Sequence, residues 1–280
     1  MADGPLAIGI DIGGTKIMAG VVDSGGTVVE LRRRPTLGHD VVGVENTIVE
    51  LVQELQQQYD VAAVGIGAAG FVDSTRSTLM FSPHLAWRDE PLREALMRRI
   101  KVPVVVDNDA NTAALAECRF GAGVGHRYVL CITLGTGIGG AFVIDNRVFR
   151  GQNGMAGEFG HMQVVPDGHR CECGNRGCWE QYASGNALVR DARELLAEVG
   201  RWLGIGMADL AAALDPGMFV VGGGVSAAGD LLLQPARDAF RRQLTGRGYR
   251  PEAAIVAAQL GNEAGLVGAA DLARTDAISG

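Results

Sequence analysis

An α/β fold built as two similar halves is predicted for this 280-residue chain on three observations. Short apolar strands alternate with longer passages of helical spacing, and three glycine-rich turns each follow an apolar strand. The strand, glycine turn, strand order that opens the chain also returns near its middle, which suggests two similar α/β domains with a cleft between them. Hydrophobic residues make up 47% and charged residues 20%, enough apolar material for real cores.

Leu6 to Asp11 reads as a strand, Gly13 and Gly14 as a turn, and Lys16 to Val22 as the returning strand of a hairpin. Gly25 and Gly26 turn the chain again into a third strand through Leu31. Val44 to Tyr59 has helical apolar spacing, and Ala62 to Ile66 is a buried strand. Pro91 suits the first turn of a helix running to Ile100, and Val102 to Val106 is again a short strand. Asp107 to Gly121 reads as a strand end, a cap and a helix. Tyr128 to Leu134, a glycine turn and Gly140 to Asp145 repeat the opening order. Asn186 to Pro216 is helical, with interruptions expected at Gly200, Gly204 and Gly206. Met218 to Val221 is a buried strand, followed by helices around Leu231 to Leu244 and Asn262 to Ala273.

A net charge of -7 argues against broad binding to nucleic acid or anionic membranes. The opening MADGPLAIGID has no basic segment before its short apolar run, and the longest apolar passage, Val61 to Val72, is broken by glycines and too short to span a bilayer. A reducing, cytoplasmic compartment is expected, where five cysteines are thiols or metal ligands rather than disulfides.

The passage from Gly157 to Glu180, GEFGHMQVVPDGHRCECGNRGCWE, gathers His161, Cys171, Cys173 and Cys178. Three thiolates and an imidazole form a complete tetrahedral shell for Zn2+. Cys171 and Cys173 are too close in sequence to bridge each other easily, and pairing either with Cys178 leaves the other thiol idle. A structural zinc knot is therefore expected, with no position open for a catalytic water. Cys118 and Cys131 are read as small core residues.

The glycine turns are DIGGTK (Asp11 to Lys16), LGTGIGG (Leu134 to Gly140) and VGGGVS (Val221 to Ser226). Each places bare backbone amides at a strand end, where a phosphate can approach. GIGAAG at Gly65 to Gly70 mimics a dinucleotide fingerprint, but the following FVDSTRSTLMFSP does not open a helix as that fold requires. The Walker signature is absent.

Together DIGGTK, GIGAAGFVD, VDNDAN, LGTGIGG, the EFGH box with its CxCGxxGCxE segment, and VGGGVS resemble the ROK family of bacterial sugar kinases and sugar-responsive repressors, most of all its ATP-dependent glucokinases. The resemblance implies two actin-like (ribonuclease H-like) domains with an interdomain cleft and a small zinc knot in the second. It places residues 1–112 in the first, 113–264 in the second, and the helix 265–280 back against the first. Two departures stand out: Ala69 occupies a position where many members carry proline, and the stretch between Asn186 and Trp202 is shorter than such kinases usually carry.

From the residues alone, Asp109 is as readily a helix cap as a base. The resemblance makes it the general base that receives the proton of a sugar hydroxyl, in ATP-dependent phosphorylation of glucose or another hexose. Gly70, Asn108, Asp109, Glu158, His161 and Glu180 are expected to hold the sugar, His161 serving zinc through one ring nitrogen and the sugar through the other. Asp11 is the expected partner of Mg2+ bound to the nucleotide. Gly13, Gly14, Thr15 and Lys16 with Gly135, Thr136, Gly137 and Gly139 are expected around the phosphates, and Gly222, Gly223 and Gly224 against the adenosine. Ser82 to Leu92 is expected in the pocket wall. The family further implies a homodimer or homotetramer. A repressor needs a DNA-reading domain before the kinase-like body, whereas the first strand here begins at Leu6.

Overall fold

The computed structural model describes residues 4–36, 40–82, 85–190 and 196–279. The chain divides into two compact units. Met1–Phe120, Arg150–Ala156 and Glu263–Gly280 form the first; Gly121–Phe149 and Gly157–Asn262 form the second.

In the first unit, β1 (Leu6–Ile12), β2 (Lys16–Val22) and β3 (Val28–Pro35) form an antiparallel meander, followed by α1 (Val41–Gln56) and β4 (Val61–Ala68). A small antiparallel sheet, β5 (Phe71–Val72), β6 (Leu79–Phe81) and β7 (Arg88–Glu90), leads through α2 (Leu92–Met97) to β8 (Val104–Asn108) and α3 (Asp109–Phe120). The main sheet has the order β3-β2-β1-β4-β8, with β1, β4 and β8 parallel.

The second unit repeats this plan. β9 (Tyr128–Leu134), β10 (Ile138–Ile144) and β11 (Arg147–Phe149) form the meander. After α4 (Glu180–Ala183), α5 (Gly185–Arg190) and α6 (Leu196–Leu214) come β12 (Met218–Gly222), α7 (Asp230–Gln243) and β13 (Ala254–Ala257). The sheet order is β11-β10-β9-β12-β13, with β9, β12 and β13 parallel. The last helix, α8 (Ala264–Ser279), belongs to the first unit.

The alternation along β1 explains how the first unit is layered. Ile8, Ile10 and Ile12 are fully buried in one core with Val44, Ile48, Val52 and Leu55 of α1. Gly9 faces the other way and pairs with Gly65 of β4, giving α8 a bare floor. A Cβ at Gly9 would lie 1.8 Å from the Leu266 carbonyl oxygen, and one at Gly65 only 1.6 Å from that of Ala269. At Gly67 it would lie 2.6 Å from Thr112 Oγ1 of α3. The glycines of GIGAAG thus admit the α8 backbone and the Thr112 side chain of α3, and β4 continues through Ala68 where a dinucleotide fold would start a helix.

Two sequence expectations need correction. Gly200, Gly204 and Gly206 do not interrupt the helical passage, because α6 runs unbroken through them. A Cβ at Gly200 or Gly204 would meet the α7 carbonyls of Leu232 and Ala236 at 2.4 and 2.1 Å, and at Gly206 it would meet the Trp179 ring at 2.3 Å. Close helix packing offsets their weak helix propensity of about 1 kcal/mol each. The returning strand β10 begins at Ile138, inside the turn expected to reach Gly140. Cys118 and Cys131 are buried, as expected. Among the described residues no helix is long and apolar enough to cross a membrane.

Candidate active site

Asp11 lies on the same face of β1 as Gly9, towards the start of α8; a Cβ at Gly265 would sit 3.4 Å from its Cγ. Burial, and then the negative charge of Asp109, push the Asp11 carboxyl up from its usual 3.8 to about 7, with Lys16 pulling the other way. The two carboxylates therefore share one electrostatic environment within the first unit. The turn after β1 is closed by the Gly13 N–H donating to the Lys16 carbonyl at 3.0 Å. Thr36 braces it, its hydroxyl donating to the Gly13 carbonyl at 2.8 Å and its N–H to the Thr15 carbonyl at 3.1 Å.

A group with a raised folded-state pKa contributes stability that is full below its unfolded pKa and lost as pH rises through the folded one. Without added magnesium, Asp11 should therefore lower stability progressively from about pH 4 to about pH 7. The loss is at most about 4 kcal/mol at 1.4 kcal/mol per pKa unit. Asp11→Asn should abolish that decline, measured as urea midpoints across the range; parallel curves for the two proteins would refute it.

At the end of β8, Asn108 rather than Asp109 caps α3. Its Oδ1 accepts from the backbone N–H groups of Ala110 at 2.9 Å and Asn111 at 3.1 Å, while its Nδ2 donates to the Gly70 carbonyl at 3.0 Å. Gly70 is at φ 145°, and a Cβ there would lie 2.3 Å from the Phe81 carbonyl oxygen. Asp109 is the first residue of α3, with Oδ1 accepting from the Ala110 N–H at 2.9 Å. Ala69 donates its N–H to the Ile12 carbonyl at 3.3 Å, a bond that a proline lacks. Ser82 is fully buried and its hydroxyl donates to the Ala69 carbonyl at 2.7 Å, while Pro83 and His84 of the expected pocket wall lie outside the described residues. Sequence reasoning missed Arg150, whose guanidinium pairs with buried Asp107 next to Asn108; only the lone buried carboxylate of VDND hinted at such a partner.

In the second unit the ligand atoms of His161, Cys171, Cys173 and Cys178 all lie within 4.8 Å of one another. Cys171 Sγ to His161 Nδ1 and Cys173 Sγ to Cys178 Sγ are both 3.6 Å. A tetrahedral zinc with Zn–S of about 2.3 Å needs S···S edges of about 3.8 Å, so the donor set fits the ion. The knot is a tight antiparallel hairpin: Val164 and Val165 both donate to the Gly177 carbonyl, and Gly177 donates back to that of His169. Gly177 has φ 74°, and a Cβ there would lie 1.6 Å from the Val165 carbonyl oxygen, so only glycine fits. Fully buried Trp179 ties the knot to α6, its indole N–H donating to the Trp202 carbonyl at 2.8 Å.

Two carboxylates bracket the histidine. Glu180 Oε1 lies 3.7 Å from Nδ1, and Glu158 Oε2 lies 3.9 Å from Nε2. Glu180 also accepts from the Cys171 thiol at 3.0 Å; burial, then this contact, push that thiol well up. Glu180 reaches the glycine turn too, since a Cβ at Gly137 would meet its Oε2 at 2.5 Å. That turn is anchored to the start of α5, where Gly185 and Asn186 donate to the carbonyls of Gly135 and Thr136. Gly139 opposes Thr133 within the sheet. Gly222 ends β12; Gly223, at φ 85°, packs on Leu134, and Gly224 opens a short 3-10 turn. Turn, knot and Gly223 are contiguous in this unit, while Asp11, Gly70, Asn108 and Asp109 are gathered in the other.

A model of the ROK family matches residues 7–195 and 190–276. The glucokinase of Streptomyces coelicolor is 48% identical over 310 aligned residues, covering 96% of this chain and 98% of that protein. A crystal structure of a ROK family glucokinase from Streptomyces griseus in complex with glucose and AMPPNP matches with a TM-score of 0.88 at 48% identity, over 96% of this chain and 99% of that one. The ROK hexokinase from Thermus thermophilus matches with a TM-score of 0.87 at 36% identity, over 98% and 100%. The coelicolor alignment is longer than this chain, so that relative carries residues this chain does not. The two stretches of the family match meet at 190–195, within the passage that reads as short; residues 191–195 lie outside the described ones.

Proposed function

This chain belongs to the ROK family, and we propose that it is a glucokinase, transferring the γ-phosphoryl group of ATP to the 6-hydroxyl of glucose. The observation that carries this reading is the trio Glu158, His161 and Glu180. It sets two carboxylates about an imidazole beside the cysteine cluster, in a chain that aligns almost end to end with glucokinases.

Asp109 orients the 6-hydroxyl and accepts its proton as the new O–P bond forms and the bond to the β-phosphate breaks. Asn108 caps α3 and presents Gly70 and Asp109 to the sugar, while Glu158, His161 and Glu180 take its other hydroxyls. Gly13, Gly14, Thr15 and Lys16 with Gly135, Thr136, Gly137 and Gly139 cradle the phosphates through backbone amides and the lysine charge, and Gly222, Gly223 and Gly224 lie along the adenosine. Asp11, a carboxylate that burial and then the neighbouring Asp109 make costly to ionise, suits a divalent cation, and Mg2+ held there would neutralise phosphate charge. His161, Cys171, Cys173 and Cys178 would hold Zn2+ through all four positions, so its contribution is to shape the sugar site. With Nδ1 on the metal side, Nε2 carries the hydrogen and donates towards the sugar. The repeated sheet order supports reading the two units as actin-like domains.

A coupled assay over glucose, mannose, fructose, allose and N-acetylhexosamines, with ATP and then polyphosphate as donor, tests the proposal. Glucose with ATP should give the highest kcat/KM; a higher value for another sugar or donor would replace the assignment.

A further inference from the structure

We propose that Arg150 is a positioning residue for phosphoryl transfer, acting through Asp107 on the strand end that carries Asn108 and Asp109; the inference rests on the glucokinase reading of Asp109. Asp107 is 2% exposed, and its carboxylate is fully engaged. Arg150 Nε donates to Oδ2 at 2.9 Å, and Nη2 donates to the same oxygen. Oδ1 accepts from the backbone N–H of Asn108 at 2.9 Å and from Asn111 Nδ2 at 2.9 Å. The carboxylate thus grips the residues on both sides of Asp109, one through its backbone and one through its side chain.

The direction of the Asn111 amide shows that Asp107 dictates this geometry. Its nitrogen turns to Asp107 although its buried Oδ1 then finds no hydrogen-bond partner among the described residues. An unsatisfied buried carbonyl is costly, so the charge opposite must outweigh it. A buried carboxylate in turn needs a cation, and Arg150 supplies one with two nitrogens on a single oxygen.

The place of Arg150 in the chain argues against mere packing. It opens Arg150–Ala156, the segment by which the chain joins the first unit between two passages of the second. No residue of that segment is buried. The Asp107 pair and the close approach of Gly154, at φ 84°, to the Val72 carbonyl tie it to the first unit, while the Ala156 N–H, donating to the Arg150 carbonyl at 3.0 Å, closes it on itself. Two residues beyond its end stands Glu158. Buried ion pairs add little net stability over apolar packing, but they fix geometry where an exposed segment must be held in one place.

The test compares wild type, Arg150→Lys and Asp107→Asn in steady-state kinetics and thermal unfolding. Lysine keeps the charge but presents one nitrogen, and asparagine keeps the shape without the charge. Both variants should lose about 10- to 100-fold in kcat, as expected when reacting groups are displaced by a fraction of an ångström to an ångström. The KM for ATP should stay within roughly twofold, because the phosphate turns are untouched. The kcat deficit should persist at temperatures where unfolding curves show each variant fully folded. Wild-type kcat in either folded variant, or a deficit that vanishes on cooling, would overturn the role. Wild-type turnover of glucose tests the underlying reading separately: an inactive wild type refutes that reading and this inference with it, whereas active variants beside an active wild type refute only Arg150.

Discussion

Asp109→Asn should lower kcat by about 10²- to 10⁴-fold while leaving glucose binding within a few-fold of wild type, the range that removal of a general base commonly costs. The asparagine retains a carbonyl oxygen that accepts from a sugar hydroxyl, but it cannot take the proton. Helix α3 should survive, because Asn108 supplies its cap through Oδ1. Steady-state turnover and calorimetric glucose titration separate the two effects. Substantial turnover in the variant, or loss of glucose binding with turnover intact in what does bind, would refute the base assignment. The same variant should relieve Asp11, whose carboxyl is pushed up partly by the Asp109 charge. Asp11 should then titrate lower, a shift visible by NMR that reports the charge of Asp109 beside it.

Removing zinc should be the second large perturbation. Cys178 is completely buried, and serine offers a hard, protonated oxygen in place of a thiolate. Cys178→Ser should bring metal content from about one zinc per chain to nearly none. A zinc held by His161, Cys171, Cys173 and Cys178 would fix His161 between Glu158 and Glu180 and staple the hairpin from Val164 to Gly177, so its loss would free both. A drop of about 100-fold in kcat/KM for glucose is expected, at the upper end of what disturbed metal-site support costs. Chelated wild type should recover with added zinc, and Cys178→Ser should not. Full activity in rigorously zinc-free wild type would show that the cysteine cluster has no part in the sugar site.

Local pattern made much of the architecture legible. The hairpin at Asp11 to Lys16, the glycine turn after Leu134 and the terminal helix follow from alternation, turn chemistry and helical spacing, all of which act over a few residues. The cysteine spacing sufficed to find the His161, Cys171, Cys173 and Cys178 cluster because all four residues lie in or directly beside one tight hairpin. Strands β11 and β13 were missed because three or four residues carry too little periodicity to read. The glycines of α6 misled for a different reason: propensity speaks for an isolated helix, while the backbone of α7 and the ring of Trp179 decide which positions can carry a side chain.

The sequence by itself determined most of the strands and turns and picked out His161, Cys171, Cys173 and Cys178, whose ligand atoms the fold brings together. Only the tertiary structure gave the cap of α3 to Asn108, and only it paired Arg150 with Asp107 across 43 positions of sequence. The reason is physical: turn and helix preferences are short-range and written in neighbouring residues, whereas a carboxylate's charge and partners depend on which distant backbone and side chains close over it.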